Sequence, residues 1–316
     1  MAITRSLRNL RRWWDFPRRH NIPPDAVVLD VGCGNWPNMR ANILADKFLV
    51  DDSERGQPLA LDHRPLIVCD ALYLPFKDKS VDYVICSHLA EHVEDPEALF
   101  RELSRVAGAG YVECPGRIWE MLHGWEYHRW YVTTQGGEML FEEKPRPLHD
   151  SEMHAWYDNL FKNDREFEQF FIDNIERLGM VSMYDWVGEA RCSVRRLPQS
   201  VWERTTSRLE SRGPVSREEL ATQLGRVPTP PLSRNESIKK RLAARARRAS
   251  DGRALGRLRS MLCCPRCKGE LTDGKEGLSC AACRADFPVV GNIYYLVPEQ
   301  IAGWRPESLT DVVHAH

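Results

Sequence analysis

The stretch AVVLDVGCGN, residues 26–35, decides the architecture. Six residues that are apolar apart from one acid run straight into Gly32-Cys33-Gly34, the pattern of a strand covered on both faces that ends in a sharp turn. Glycines at 32 and 34 let the backbone turn tightly and approach a ligand at the strand's carboxyl end, where α/β sheets open their crevice. Further apolar runs follow at 42–46 (NILAD), 65–70 (PLIVCD), 81–87 (VDYVICS) and 110–115 (GYVECP). Helix-like or Gly-bounded segments separate several of them, so the pattern predicts a parallel, doubly wound α/β sheet. In EDPEALFRELSRV, Asp95 reads as N-cap and Pro96 as the first helical residue, with Leu99, Leu103 and Val106 on one face. MVSMYDW (180–186) and ARCSVRR (190–196) read as a strand pair closing the sheet's edge.

The chain has 316 residues, 42% of them hydrophobic and 28% charged, with a net charge of −1. That is ordinary globular composition, and no electrostatic partner follows from the whole chain. No apolar run is long enough to span a bilayer, and the opening MAITRSLRNLRRWWDFPRRH lacks the apolar centre of a signal peptide, so a cytoplasmic setting is expected. Cys33, Cys69, Cys86, Cys114 and Cys192 stand isolated and read as buried thiols in a reducing compartment.

Asp30, Asp46 and Asp70 stand at or near the ends of the first three runs. An acid ending the second suits the two donors of a ribose diol, and one at the third can accept from an adenine amino group. A third glycine is missing, which argues against a dinucleotide. With these residues, VLDVGCG and DALYLPFKDKSVDYVICSHLAEHVEDPEALFRELSRV resemble the class I S-adenosylmethionine-dependent methyltransferases, specifically the group with LPF-x-D-x-S-x-D and EH-x-x-D-P stretches. The resemblance covers about residues 25–116 closely and the strands near 180–196 loosely. It implies that Asp30, Gly32 and Gly34 line the methionine end of the cofactor and that Asp46 holds the ribose. Asp70, Ala71 and Leu72 would frame the adenine, and Ser87 and His88 would lie beneath the sulfonium. The segment between Gly34 and Asp46 is shorter than the usual first helix, which leaves Asp51 or Asp52 as an alternative for the ribose.

Methyl transfer from a sulfonium is an in-line displacement, so the protein supplies alignment and, for a hydroxyl acceptor, a base. His128, His88, Glu113, His92 and Glu91 are the candidates. Some hydroxyl-methylating members of the family bind a divalent metal with a carboxylate three residues before a Glu-His pair. His88 holds that first position here, so the resemblance does not carry the metal over, and His92 reads as a packed, hydrogen-bonded histidine. After the fifth strand, GRIWEMLHGWEYHRWYV is dense in aromatic and histidine residues, either an acceptor pocket for a ring-bearing substrate or a hydrophobic cap. Within it Trp125 and Trp130 read as stacking platforms and Arg129 as an anion anchor.

Near the end, Cys264-x2-Cys267 and Cys280-x2-Cys283 are twelve residues apart, the arrangement of a closed structural Zn2+ site, with Cys263 left over. CPRCKGEL and ADFPVVGNIYYLVPE resemble the small zinc-ribbon activator subunit of tRNA, ribosomal and translation-factor methyltransferases, fused here to its catalytic domain. Breaker-rich RVPTPPLSRNES and a basic helical stretch at 239–259 precede it. The expected organisation is a Rossmann-like methyltransferase domain over 1–200, a basic helical linker over 201–259, a zinc ribbon over 260–299 and a tail over 300–316. The function expected is O-methylation of a glycan or other small-molecule hydroxyl. Alternatives are methylation of tRNA or a translation protein, using the arginines near the N-terminus and at 239–259 as a nucleic-acid arm, and a non-catalytic cofactor-binding scaffold.

Overall fold

A computed structural model describes residues 16–55, 57–145, 151–198, 215–227 and 234–300. Its first strands follow the apolar runs: β1 (Val28–Val31), β2 (Ile43–Asp46), β3 (Leu66–Val68), β4 (Tyr83–Ser87) and β5 (Ala109–Pro115). They pair in parallel in the order β3-β2-β1-β4-β5, so the order reverses at β1 and the crevice opens there. Both faces are covered because successive residues point to opposite sides. Leu29, Val31, Ile43 and Ile67 enter one core, while Val28, Leu44, Leu66 and Val68 enter the other.

Helix α1 (Pro96–Val106) starts where the sequence places it, with the Asp95 carboxylate accepting from the Ala98 N–H at 2.8 Å. Leu99, Leu103 and Val106 are fully buried, each contributing roughly 1.5–3 kcal/mol of transfer free energy. Beyond β5 come α2 (Arg117–His123), β6 (Trp130–Gln135), β7 (Glu138–Glu143), α3 (Ser151–Asn163), α4 (Arg165–Asn174), β8 (Val181–Val187) and β9 (Cys192–Arg195). The expected edge pair separates. β8 closes the sheet antiparallel to β5, but β9 turns away and pairs in parallel with β7 in a second, three-stranded sheet. Its register partners are Met139 to Glu142 of β7, whose hairpin with β6 is made by Gly136 and Gly137, both at positive φ.

The remaining elements are α5 (Arg217–Arg226), α6 (Arg234–Met261), β10 (Thr272–Asp273), β11 (Gly277–Cys280), β12 (Ala285–Val290) and β13 (Ile293–Tyr295). The cysteine-rich segment is continuous with the main sheet, because β13 lies parallel to β3 with Ile293, Tyr294 and Tyr295 opposite Leu66, Ile67 and Val68. The Leu296 N–H extends the ladder to the Val68 carbonyl at 2.8 Å, and the Asn292 amide donates to the Arg64 carbonyl at 2.6 Å. α6 is a strap rather than a solvated rod: Ala243, Arg247, Ser250, Ala254, Leu258 and Met261 form a buried stripe along it. Its arginines are partly committed within the fold, Arg247 to the Met39 carbonyl, Arg253 to Asp25 and Arg259 to Asp273. Arg5, Arg8, Arg11 and Arg12 lie outside the described residues.

Candidate active site

The turn after β1 holds Gly32 at φ +73° and Gly34 at φ +50°, the left-handed region that glycine enters without strain. A Cβ on Gly32 would sit 2.9 Å from the Leu89 side chain, so space as well as torsion requires glycine there. Asp30 is buried and accepts from the Asn38 N–H at 2.6 Å. Burial outweighs that bond and the nearby Arg64, pushing its carboxyl up to about 6. Asp46, at the end of β2, accepts from the Gly34 N–H at 2.8 Å and the Phe48 N–H at 3.1 Å, and the Arg55 guanidinium lies 3.0 Å away. Burial still raises its carboxyl above the ordinary range. Asp70 receives Lys47 Nζ at 2.5 Å and caps the 3-10 turn Ala71–Tyr73 through the Leu72 N–H at 2.9 Å. Asp51 holds Ser53 through its side chain and Arg55 through its carbonyl.

All of these face a cavity of about 890 Å³ that reaches from the Gly32 turn to the aromatic segment after β5. Its walls include Asp30, Asp46, Asp70, Leu72, Ser87 and His88 at one end and Trp119, Trp125, Tyr127 and His128 at the other. Phe16, His20, Tyr111 and Asp185 extend it along the sheet face, with His20 Nδ1 2.7 Å from Asp185.

His88 sits at φ +55° in the loop after β4, and its ring lies between two carboxylates, Glu113 at 3.3 Å and Glu91 at 3.5 Å. Partial desolvation favours the neutral ring, but the Glu113 and Glu91 carboxylates outweigh it and push its pKa up to about 10. That corrects the expectation of His88 as a base, since an imidazolium has no lone pair to offer at neutral pH. Glu113 also accepts from Tyr111 at 2.5 Å and Ser87 at 3.3 Å. His92 stacks on Tyr127 and lies 3.2 Å from Glu54.

His128 is buried, and its Nδ1 is 2.7 Å from Glu120 Oε2. Burial drives its pKa below the ordinary histidine value, so the ring is neutral near pH 7. Behind it the fully buried Lys144 donates to Glu120 at 2.5 Å and to the Trp125 carbonyl at 2.8 Å. Two neighbours do not serve as the sequence implied. Trp130 is 0% exposed and its indole N–H is held by the Val93 carbonyl at 2.7 Å, so it is core and not a stacking platform. Arg129 is buried against Glu143 at 3.2 Å, which takes its charge away from any substrate anion. Strand β6 explains both, because it begins at Trp130 and draws these residues under the small sheet.

Lys47, Arg55, Glu54, Glu120 and Lys144 were missed by the sequence reading. Charged residues outside any motif carry no local signal of the partner they meet.

At the other end of the chain, the Sγ atoms of Cys264 and Cys283 are 3.8 Å apart and those of Cys267 and Cys280 are 3.6 Å apart. A tetrahedron of sulfurs with zinc bonds of about 2.3 Å has edges of about 3.8 Å, so the four thiols fit that ion and leave no open position.

Residues 29–111 match the family described as Methyltransferase domain. Ubiquinone biosynthesis O-methyltransferase of Yersinia enterocolitica is 27% identical over 191 residues, covering 46% of this chain and 73% of that protein, and the Yersinia pestis protein of the same name is 26% identical with the same coverage. Among solved structures, a putative methyltransferase from an antibiotic biosynthesis pathway of Anabaena variabilis aligns at 21% identity and TM-score 0.29, over 34% of this chain and 47% of its own. This chain thus spans about half the length of that structure. A complex between the Haloferax volcanii Trm112 methyltransferase activator and a putative methyltransferase aligns at 16% identity and TM-score 0.36, over 60% of this chain and 95% of that one. The domain is that of an S-adenosylmethionine-dependent methyltransferase with a Rossmann-like class I fold. No helix among the described residues is long and apolar enough to cross a membrane.

Proposed function

We propose that the protein transfers a methyl group from S-adenosylmethionine to a hydroxyl of a glycan or another small molecule. The observation that carries this reading is a continuous cavity of about 890 Å³ joining the acid-bearing strand ends to an aromatic wall with a neutral histidine. It has room for a nucleoside-sized donor and an acceptor together. The name of the Yersinia relatives, an O-methyltransferase, supports oxygen as the acceptor atom.

When bound, S-adenosylmethionine supplies a methyl group already activated on a sulfonium. The residues that fit it are those at the strand ends: Asp30, Gly32 and Gly34 toward its amino-acid portion, Asp46 toward the ribose, Asp70 with Ala71 and Leu72 toward the adenine, and Ser87 with His88 at the reacting end. Arg55 covers one Asp46 oxygen and must yield to a ribose diol. On the acceptor side Trp125 and Tyr127 offer faces to a ring. His128, neutral and steered by Glu120, is the residue through which the hydroxyl is activated. Cys264, Cys267, Cys280 and Cys283 hold a structural Zn2+ that keeps β13 against β3. The isolated thiols fit a cytoplasmic setting. A nucleic-acid arm is less well supported, because Arg247, Arg253 and Arg259 already have partners within the fold.

The test is transfer of a labelled methyl group to a panel of glycans, aromatic alcohols, nucleotides and tRNA. Label on a hydroxyl of a glycan or aromatic alcohol supports the reading. Label confined to tRNA replaces it with the alternative.

A further inference from the structure

The rim of the cavity carries an aromatic residue that neither the cofactor end nor the base employs. Trp36 lines the cavity and yet is 71% exposed. Its loop is tied on both sides of it: the Gly34 N–H donates to Asp46 at 2.8 Å and the Asn38 N–H to Asp30 at 2.6 Å. The Arg64 guanidinium also donates to the Asn38 carbonyl at 2.7 Å. An indole kept in water by a pinned loop at a cavity edge offers a flat apolar face to whatever enters.

Contacts run from that loop around the rim to the acceptor end. A Cβ on Gly34 would meet the Arg55 side chain at 3.5 Å, and Glu54, one residue before Arg55, lies 3.2 Å from His92. His92 stacks on Tyr127, whose ring is 37% exposed and stands 4.9 Å from the His128 ring, centroid to centroid. Two exposed aromatic rings therefore bracket a polar stretch, the second of them beside the base.

Charge selects what such a rim can hold. Among the described residues, ten Asp and Glu side chains line the cavity against three Lys and Arg. Each of those three cations is already paired, Arg19 with Glu176, Lys47 with Asp70 and Arg55 with Asp46. A phosphodiester or phosphorylated acceptor is repelled by that field. A neutral sugar brings apolar C–H faces for the aromatic rings and adjacent hydroxyls that donate to carboxylates.

We propose that this rim is a saccharide subsite and that the acceptor is a neutral chain of at least two sugars, one ring over Tyr127 with its hydroxyl toward His128 and the next over Trp36. The inference rests on the methyl-transfer reading and narrows its acceptor, because a single-ring alcohol fills the Tyr127 end and leaves Trp36 bare. The acids that fit the cofactor, Asp30, Asp46 and Asp70, are buried, whereas Trp36 stands in solvent, so its ring serves the acceptor.

The full chain, saturated with S-adenosylhomocysteine, is passed over an array of immobilised neutral monosaccharides and oligosaccharides with tRNA alongside, and calorimetry gives Kd for the soluble form of whatever is retained. Retention on at least one oligosaccharide is expected. Trp36→Ala should weaken it by about 3-fold to 10-fold, and Trp36→Phe should restore most of the affinity. Because Trp36 is exposed, its replacement leaves the fold intact, and Kd for S-adenosylhomocysteine should stay within about twofold. Retention on no oligosaccharide, retention indifferent to Trp36→Ala, or a monosaccharide held as tightly as any longer chain overturns the proposal. So does an equal loss of S-adenosylhomocysteine affinity in Trp36→Ala, which makes the ring a cover for the cofactor, and so does tRNA held more tightly than every glycan. Methyl transfer is followed separately with labelled S-adenosylmethionine. Label on an aromatic alcohol without oligosaccharide retention removes the subsite and leaves the methyl-transfer reading standing; oligosaccharide retention without label on any acceptor does the reverse.

Discussion

Replacing Asp30 by asparagine is expected to stabilise the protein at neutral pH while weakening cofactor binding. Burial raises the Asp30 carboxyl from 3.8 to about 6. The folded chain therefore holds a proton between those values that the unfolded chain releases, and stability falls as pH rises through that window and remains lower above it. The raised value corresponds to roughly 3 kcal/mol withheld from folding above pH 6. An asparagine keeps the shape and an oxygen for the Asn38 N–H, without the charge. The variant should gain about 3–6 °C in Tm at pH 7.5, and the gain should shrink toward zero near pH 4. Calorimetric unfolding of both proteins from pH 4 to pH 8 measures this. A Tm difference independent of pH, or a variant less stable than wild type at pH 7.5, would refute the reasoning that this acid is held against its desolvation cost for the sake of a ligand.

His128→Asn is expected to lower kcat by about 10²-fold to 10⁴-fold while leaving the calorimetric affinity for S-adenosylmethionine within about twofold. Gly32→Ala forces a Cβ into the Leu89 side chain at positive φ, so thermal unfolding should show a loss of about 1–3 kcal/mol together with weaker cofactor binding. Removing the zinc, by chelation or Cys264→Ser, should release β13; hydrogen exchange at Leu66 to Val68 should then accelerate, with a stability loss on the order of 3–5 kcal/mol. Leu103→Ala, in the fully buried face of α1, should cost about 2–5 kcal/mol by denaturant titration.

The central strands were legible because each is a short apolar run bounded by acids, glycines or prolines, and α1 because its cap, proline and apolar face coincide. The hairpin of β6 and β7 was harder to read. Its aromatic density resembles a pocket, although Gly136-Gly137 and the alternation of Trp130 with Val132 and of Met139 with Phe141 carried the signal of a two-residue turn between half-buried strands. Placement of β13 beside β3 was beyond any local pattern, since the two are more than two hundred residues apart in the chain. The same holds within the site. Asp30, Asp46 and Asp70 announce themselves at strand ends, but Arg55 on Asp46, Lys47 on Asp70 and Lys144 behind Glu120 are known only once the chain is folded. Trp130 and Arg129 misled because residue type alone does not say which side of a strand a side chain takes.

The most direct test of the account is formation of S-adenosylhomocysteine from S-adenosylmethionine by the full, zinc-loaded chain in the presence of hydroxyl-bearing glycans and aromatic alcohols. The account predicts turnover with at least one such acceptor, the methyl group found on oxygen, and loss of that turnover in His128→Asn with cofactor binding retained. Tight cofactor binding without turnover on any acceptor, and unchanged by His128→Asn, would contradict it and make the chain a cofactor-binding scaffold.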